Sequence, residues 1–80
     1  MEERDYTTLR DILPSNAFCT ICDDKLRKLL YVGMSYDLIK EANNRQEYRS
    51  LLLMKVRSLS SKLECGKWIR LEIDVDEESV

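Results

Sequence analysis

Apolar residues in the first half of the chain recur at helical spacing and predict two helices there. The first helix is predicted between an N-cap at Asp5 and Pro14, which cannot continue a helix. The second follows Ser15 and ends at Gly33, with polar residues at three- and four-residue intervals opposite an apolar side. That apolar side comprises Phe18, Cys22, Leu26, Leu29 and Leu30.

A third, shorter helix is predicted after Ser35, which is a suitable N-cap. Its inward-facing residues are Leu38, Ile39 and Ala42. The alternative is one long helix from residue 36 to residue 64, but its apolar stripe would then bury Arg45 and Arg49. A break at the Asn43-Asn44 pair is therefore favoured.

The last predicted helix runs from about Gln46 to Glu64, before Gly66. Its apolar stripe comprises Tyr48, Leu51, Leu52, Val56, Leu59 and Leu63. Leu53 and Met54 lie outside that stripe, so the first half of this helix is apolar nearly all round. Such a helix is expected to be contacted on two sides, by its own chain or by another molecule.

After Gly66 the period of the pattern changes to two, which predicts a strand. Its apolar positions are Trp68, Ile69, Leu71, Ile73 and Val75. A strand needs a ladder for its backbone groups, and three partners stay open: a segment of this chain (17–22 or 6–9), a second copy, or the sheet edge of a target. We expect a mainly α domain of three to four helices with a C-terminal strand, or an α+β domain if that strand pairs within the chain.

Composition indicates one folded domain over residues 1–80, with an acidic tail at 76–80. Apolar residues are 44% and charged residues 35% of the chain, with 2 Gly and 1 Pro, which is untypical of disordered chains. So short a chain has a small core, which makes oligomerisation an expectation. Eleven basic and four acidic residues lie in 25–70. They either solvate the helices or bind a polyanion.

The chain is expected to be intracellular, in the cytoplasm or nucleus. Its longest apolar run, Leu51 to Met54, is far too short to span a bilayer, and the first residues lack the apolar core of a signal peptide. Three cysteines cannot all pair within one chain, which favours a reducing compartment.

Candidate chemistry is restricted to the motif Cys19-Thr20-Ile21-Cys22. Zinc would need a fourth ligand beyond these two thiols and Cys65, and the chain has no histidine. Burial of these thiols in the core is the favoured interpretation. Without histidine or a glycine-rich phosphate loop, we expect no enzyme, no cofactor and no metal site.

These observations predict a non-enzymatic protein–protein interaction module that acts as an adaptor, regulator or inhibitor of a larger complex. Its partner is another protein or a second copy of the chain, with no membrane and no small-molecule substrate. A small viral or phage protein would fit this description, and so would a cellular adaptor. The residues expected to bind the partner remain after the simplest core is assigned. They are Leu53, Met54, Trp68, Ile69, Leu71 and Ile73.

The alternative prediction is a nucleic-acid-binding regulator. Residues 16–45 would form a helix-turn-helix-like segment, with a glycine in the turn at Gly33. Tyr36, Lys40, Asn43 and Arg45 would contact the nucleic acid. Asp37, near the start of the reading helix, and the mildly acidic chain argue against this alternative.

Overall fold

Four strands form one mixed sheet in the computed structural model, which describes residues 6–66 and 68–79. The elements in chain order are α1 (Leu9–Ile12), β1 (Phe18–Asp23), β2 (Leu29–Met34), α2 (Ser35–Glu41), α3 (Gln46–Leu52), β3 (Lys55–Glu64), β4 (Trp68–Asp76) and a closing 3-10 turn (Glu77–Ser79). Strand makes up 44% and helix 28% of the chain, so the domain is α+β and the prediction of a mainly α fold is wrong.

The strand order is β2-β1-β4-β3. Two antiparallel hairpins, β1–β2 and β3–β4, are joined by parallel pairing of β1 with β4. The predicted C-terminal strand therefore lies at the centre of the sheet and pairs within the chain on both sides. The edges of the sheet are β2 and β3, which the sequence assigned to helices.

Residues 18–34 form a β-hairpin and not the predicted helix. Several of the polar residues that suggested a helical face lie in the turn between its two strands. Along β1, the side chains of Cys19, Ile21 and Asp23 are buried alternately, which is the period of a strand. The carboxylate of Asp23 accepts hydrogen bonds from the backbone N–H of Leu26 at 2.6 Å and of Glu77 at 3.0 Å. These two hydrogen bonds lower the pKa of Asp23, and the bond from Leu26 has the larger effect. Together they connect the β1–β2 turn to the end of β4.

The predicted last helix is correct only in its first part. It begins at Gln46 but ends at Leu52, and β3 follows. Val56, Leu59 and Leu63 have helical spacing, yet each faces an apolar residue of β4 across the ladder. The turn at Gly66, which has a φ of +66°, brings these two segments together.

The short helices agree better with the sequence. The predicted third helix corresponds to α2, which ends before the Asn43-Asn44 pair. α1 starts after Thr8, whose N–H and hydroxyl group both donate to the carboxylate of Asp11, at 2.9 and 3.0 Å. The predicted N-cap at Asp5 lies outside the described residues. Each described helix is too short and too polar to cross a membrane.

The core lies between the helices and one face of the sheet. Its members are Leu9, Cys19, Ile21, Leu38, Ala42, Leu51, Leu52, Met54, Ile73 and Val75. The sheet residues among them belong to one face, because Cys19 and Ile21 of β1 stand beside Leu71 and Ile73 of β4. Thr20, Cys22 and Glu72 alternate with them and point to the opposite face, whose described residues are not part of this core. The domain therefore has two layers.

Candidate interaction surface

The residues predicted to bind a partner divide between surface and core. Trp68 and Ile69 are exposed at the start of β4, and Leu53 is just exposed at the end of α3. Met54 and Ile73 are buried, because the first packs beneath the helices and the second lies in the central strand. Leu71 is partly buried against the core. Of the six predicted residues, Trp68, Ile69 and Leu53 are therefore accessible to a partner.

Leu59, Leu63 and Ile69, termed here the hairpin patch, form an exposed apolar cluster at the end of the β3–β4 hairpin. Their exposed fractions are 51%, 67% and 57%. Leu63 lies directly opposite Ile69. Leu59 comes four residues before Leu63 on β3, so both side chains lie on the same face of the sheet. The sequence assigned both leucines to the buried side of a helix. Gly66 could have located them, because a hairpin turn centred on it places Leu63 opposite Ile69.

The patch lies beyond the part of the sheet that packs into the core. Val56, near the start of β3, still packs against the core, whereas Leu59 and Leu63 further along β3 are progressively more exposed. Ile73, which faces Leu59 on β4, is buried where the helices do cover the sheet. The apolar face of the sheet therefore continues beyond its helical cover.

The outer edge of β3 is open beside this patch. Its first residues are covered, since Lys55 forms a bridge with Thr8 and the N–H of Val56 donates to the carbonyl of Thr7 at 2.9 Å. A bulge follows at Arg57, between the paired residues Val56 and Ser58. From Ser58 onward, no other strand within residues 6–66 and 68–79 pairs with β3 on the side away from β4. An open edge presents unpaired backbone donors and acceptors.

An aromatic cluster occupies the other face at the same end of the sheet. The ring of Trp68 packs edge-on against Phe18, with ring centres 5.5 Å apart and planes at 77°. Met34 faces Phe18 across the β1–β2 ladder, and these residues line a shallow depression. Both faces of the sheet are therefore apolar at this end.

Charged side chains on the outer face of the hairpin have partners. Glu72 accepts a hydrogen bond from Arg70 at 3.1 Å and lies 3.5 Å from the ammonium group of Lys62. Ser58 donates to the carboxylate of Asp74 at 2.8 Å. These contacts leave the apolar residues as the main feature that this hairpin offers to a partner.

The two cysteines of the Cys19–Cys22 motif lie on different faces of the sheet. Cys19 and Cys22 are three positions apart on β1, so their side chains point to opposite faces of the sheet. The Cys19 thiol is buried, lies 3.4 Å from the carbonyl of Gly33, and has its pKa raised to about 11 by that burial. Burial also raises the pKa of Cys22, with smaller contributions from the nearby carboxylates. Among the described residues, no three potential ligands come together.

The residues predicted to contact nucleic acid do not belong to a helix-turn-helix. Residues 16–45 comprise a β-hairpin followed by one helix, so that structural prediction is wrong. Tyr36 and Lys40 lie on α2. Arg45 pairs with Glu41 and Glu47, each at 3.5 Å, and its charge is thus already compensated.

A groove of about 470 Å³ lies between the three helices. Asn43 and Leu53, predicted for two different partners, both line it beside Ile39, which the sequence placed in the core and the structure exposes. Arg10 and Arg49 complete its polar rim. This groove is separate from the hairpin patch.

Comparison with protein-family models, with curated proteins and with solved structures finds no significant match to this chain. The fold and the surface define a small two-layer α+β domain in which exposed apolar residues lie next to an edge strand of the sheet.

Proposed function

We propose that this chain is a small, non-enzymatic protein–protein interaction module that acts as an adaptor, regulator or inhibitor of a larger complex. Its binding surface is the hairpin patch together with the open edge of β3. The observation that carries the proposal is the position of three exposed apolar side chains beside the edge of β3, with which no further strand among the described residues pairs from Ser58 onward. Exposed apolar clusters of this kind mark interaction sites.

Strand addition is the mode of binding that this surface supports best. A partner strand would hydrogen-bond to the backbone of β3, while its side chains cover Leu59 and Leu63. Full burial of a Leu or Ile side chain stabilises by about 1.5 to 3 kcal/mol. Since roughly half to two thirds of each patch residue is exposed, covering all three contributes about 3 to 5 kcal/mol before the entropic cost of association.

Site-specific photo-crosslinking in cells that express the chain tests this proposal. A photoreactive p-benzoylphenylalanine replaces Leu63 in one variant and Leu26, which is exposed in the β1–β2 turn, in a matched control. On illumination, the variant at Leu63 is expected to form discrete protein adducts that the control does not form. Adducts whose size does not change on nuclease treatment contain a protein partner, whereas adducts that nuclease shortens contain a nucleic acid.

The proposal fails if position 63 forms no adduct, or if both positions form the same ones. Equal labelling would mean nonspecific collision, because Leu26 offers apolar exposure away from the edge of β3. Adducts destroyed by nuclease would instead support the nucleic-acid alternative.

A further inference from the structure

We propose that the occupant of the open β3 edge is a second copy of this chain, paired antiparallel about Ser61. This inference rests on the proposed function, because it names the partner of the same surface. The two four-stranded sheets would join into one sheet of eight strands, with the two β3 strands adjacent at its centre.

The open part of the edge is itself centred on Ser61. It begins at Ser58, after the segment covered by Thr7–Leu9 and the bulge at Arg57, and β3 ends at Glu64. A second copy related by a two-fold axis at Ser61 would align these open segments over their full length. No described contact of the N-terminal segment with β3 would have to break.

The apolar pattern is also symmetric about Ser61. Leu59 and Leu63 each lie two residues from it, so an antiparallel pair in this register places Leu59 of one copy opposite Leu63 of the other. This contact occurs twice. Because side chains alternate along a strand, all four leucines lie on the face that already carries Ile69.

Neighbouring registers are less favourable. A register centred on Ser60 sets Leu59 of one copy against Ser61 of the other, so the two leucines no longer lie directly opposite one another. A register centred on Lys62 sets two like charges directly opposite one another, which is destabilising. In the Ser61 register Lys62 faces Ser60, and its own carboxylate partner, Glu72, stays 3.5 Å away on β4. Charge and apolar contact therefore select the same register.

Cysteine crosslinking measures this register directly. Ser61→Cys is prepared in a background with Cys22→Ser and Cys65→Ser, which leaves Cys19 buried. Directly opposite residues of an antiparallel pair have Cα atoms about 4.5 to 5.5 Å apart, within the disulfide range of about 4.4 to 6.8 Å. Ser58→Cys on the same edge is the matched control, because the proposed register separates the two copies of residue 58 by about 20 Å.

Under mild oxidation, Ser61→Cys is expected to give a disulfide dimer at least about ten times faster than Ser58→Cys. Equal rates, or a faster reaction at position 58, would overturn the register. Sedimentation of the unmodified chain between about 1 µM and about 1 mM is expected to show the mass rising from 9.5 kDa towards twice that value. Leu59→Lys with Leu63→Lys is expected to stay at the monomer mass while keeping the native circular dichroism spectrum, since both side chains are exposed.

The outcomes separate this inference from the function on which it rests. A chain that remains a 9.5 kDa monomer at the highest concentration, with no crosslink at position 61, refutes pairing of two copies. If Leu63 then still captures a different protein, the interaction module stands and only the second copy is lost. Absence of any adduct at Leu63 would refute the interaction module itself.

Discussion

Replacing Ile21 with Ala and, separately, Leu26 with Ala distinguishes the sheet from the helix that the sequence predicts for this segment. In the predicted helix Leu26 belongs to the buried side and Ile21 does not. In the structure Ile21 is fully buried in β1, whereas 71% of Leu26 is exposed in the β1–β2 turn. A helix would therefore lose more stability from Leu26→Ala, whereas the hairpin loses more from Ile21→Ala.

The magnitude follows from burial. Truncation of a buried Ile to Ala costs about 2 to 5 kcal/mol, while an exposed substitution stays within about 0.5 kcal/mol. A chain of 80 residues has a total free energy of unfolding of roughly 4 to 12 kcal/mol. Ile21→Ala is thus expected to remove a large part of the stability. At about 4 to 8 °C per kcal/mol, a loss of about 3 kcal/mol lowers Tm by roughly 12 to 24 °C.

Urea and thermal unfolding, followed by circular dichroism, provide the measurement. Both are made at low micromolar concentration, so that self-association adds little to the apparent stability. Ile21→Val, expected to cost about 0.5 to 1.5 kcal/mol, serves as a milder variant if Ile21→Ala does not fold. A larger loss for Leu26→Ala than for Ile21→Ala would refute the assignment of residues 18–34 to a hairpin.

Three further predictions concern pH, thiol access and backbone conformation. The pKa of Asp23 is lowered by hydrogen bonds from two backbone amides, so its carboxylate stabilises the folded state at neutral pH. This stabilisation is expected to be lost as the pH falls below about 4, and Asp23→Asn should flatten that part of the profile of urea midpoint against pH. Cys65 is expected to react with a thiol reagent within the mixing time and Cys19 only after unfolding; prompt reaction of Cys19 would contradict its burial. Gly66→Ala is expected to lower the free energy of unfolding by about 1 kcal/mol, because the φ of +66° is strained for a residue with a side chain; an unchanged midpoint would contradict this.

The sequence predicted the candidate surface only in part. Trp68 and Ile69 were identified because they open a strand with clear alternation, and both are exposed. Leu59 and Leu63 were missed because a four-residue spacing fits one face of a helix and also one face of a strand. Met54 was selected for lying outside the helical stripe, but the chain turns after Leu52 and carries it into the core.

The partner of the C-terminal strand was left open by the sequence. One of the segments it offered, 17–22, overlaps β1, which does pair with β4, whereas the second partner, β3, was expected to be a helix. Among the described residues the edges of the sheet are β2 and β3, both of which were assigned to helices. Which strand lies at an edge depends on the order of strands in the sheet, and no local pattern contains that order.

Taken alone, the sequence determined the features that depend on local physics. Pro14 ended the first helix, Gly66 marked where the preceding segment ends, and alternating apolar residues marked β4. The absence of histidine likewise limited the available chemistry. Each of these follows from the residue itself or from its immediate neighbours.

Only the tertiary structure decided that residues 18–34 and 55–64 are strands and that the hairpin patch is exposed. A helix satisfies its backbone within a few residues, whereas β1 obtains its hydrogen bonds from β4 near the other end of the chain. The exposure of Leu59 and Leu63 depends in turn on which part of the sheet packs into the core. Both outcomes arise from contacts between residues distant in sequence, which local periodicity does not encode.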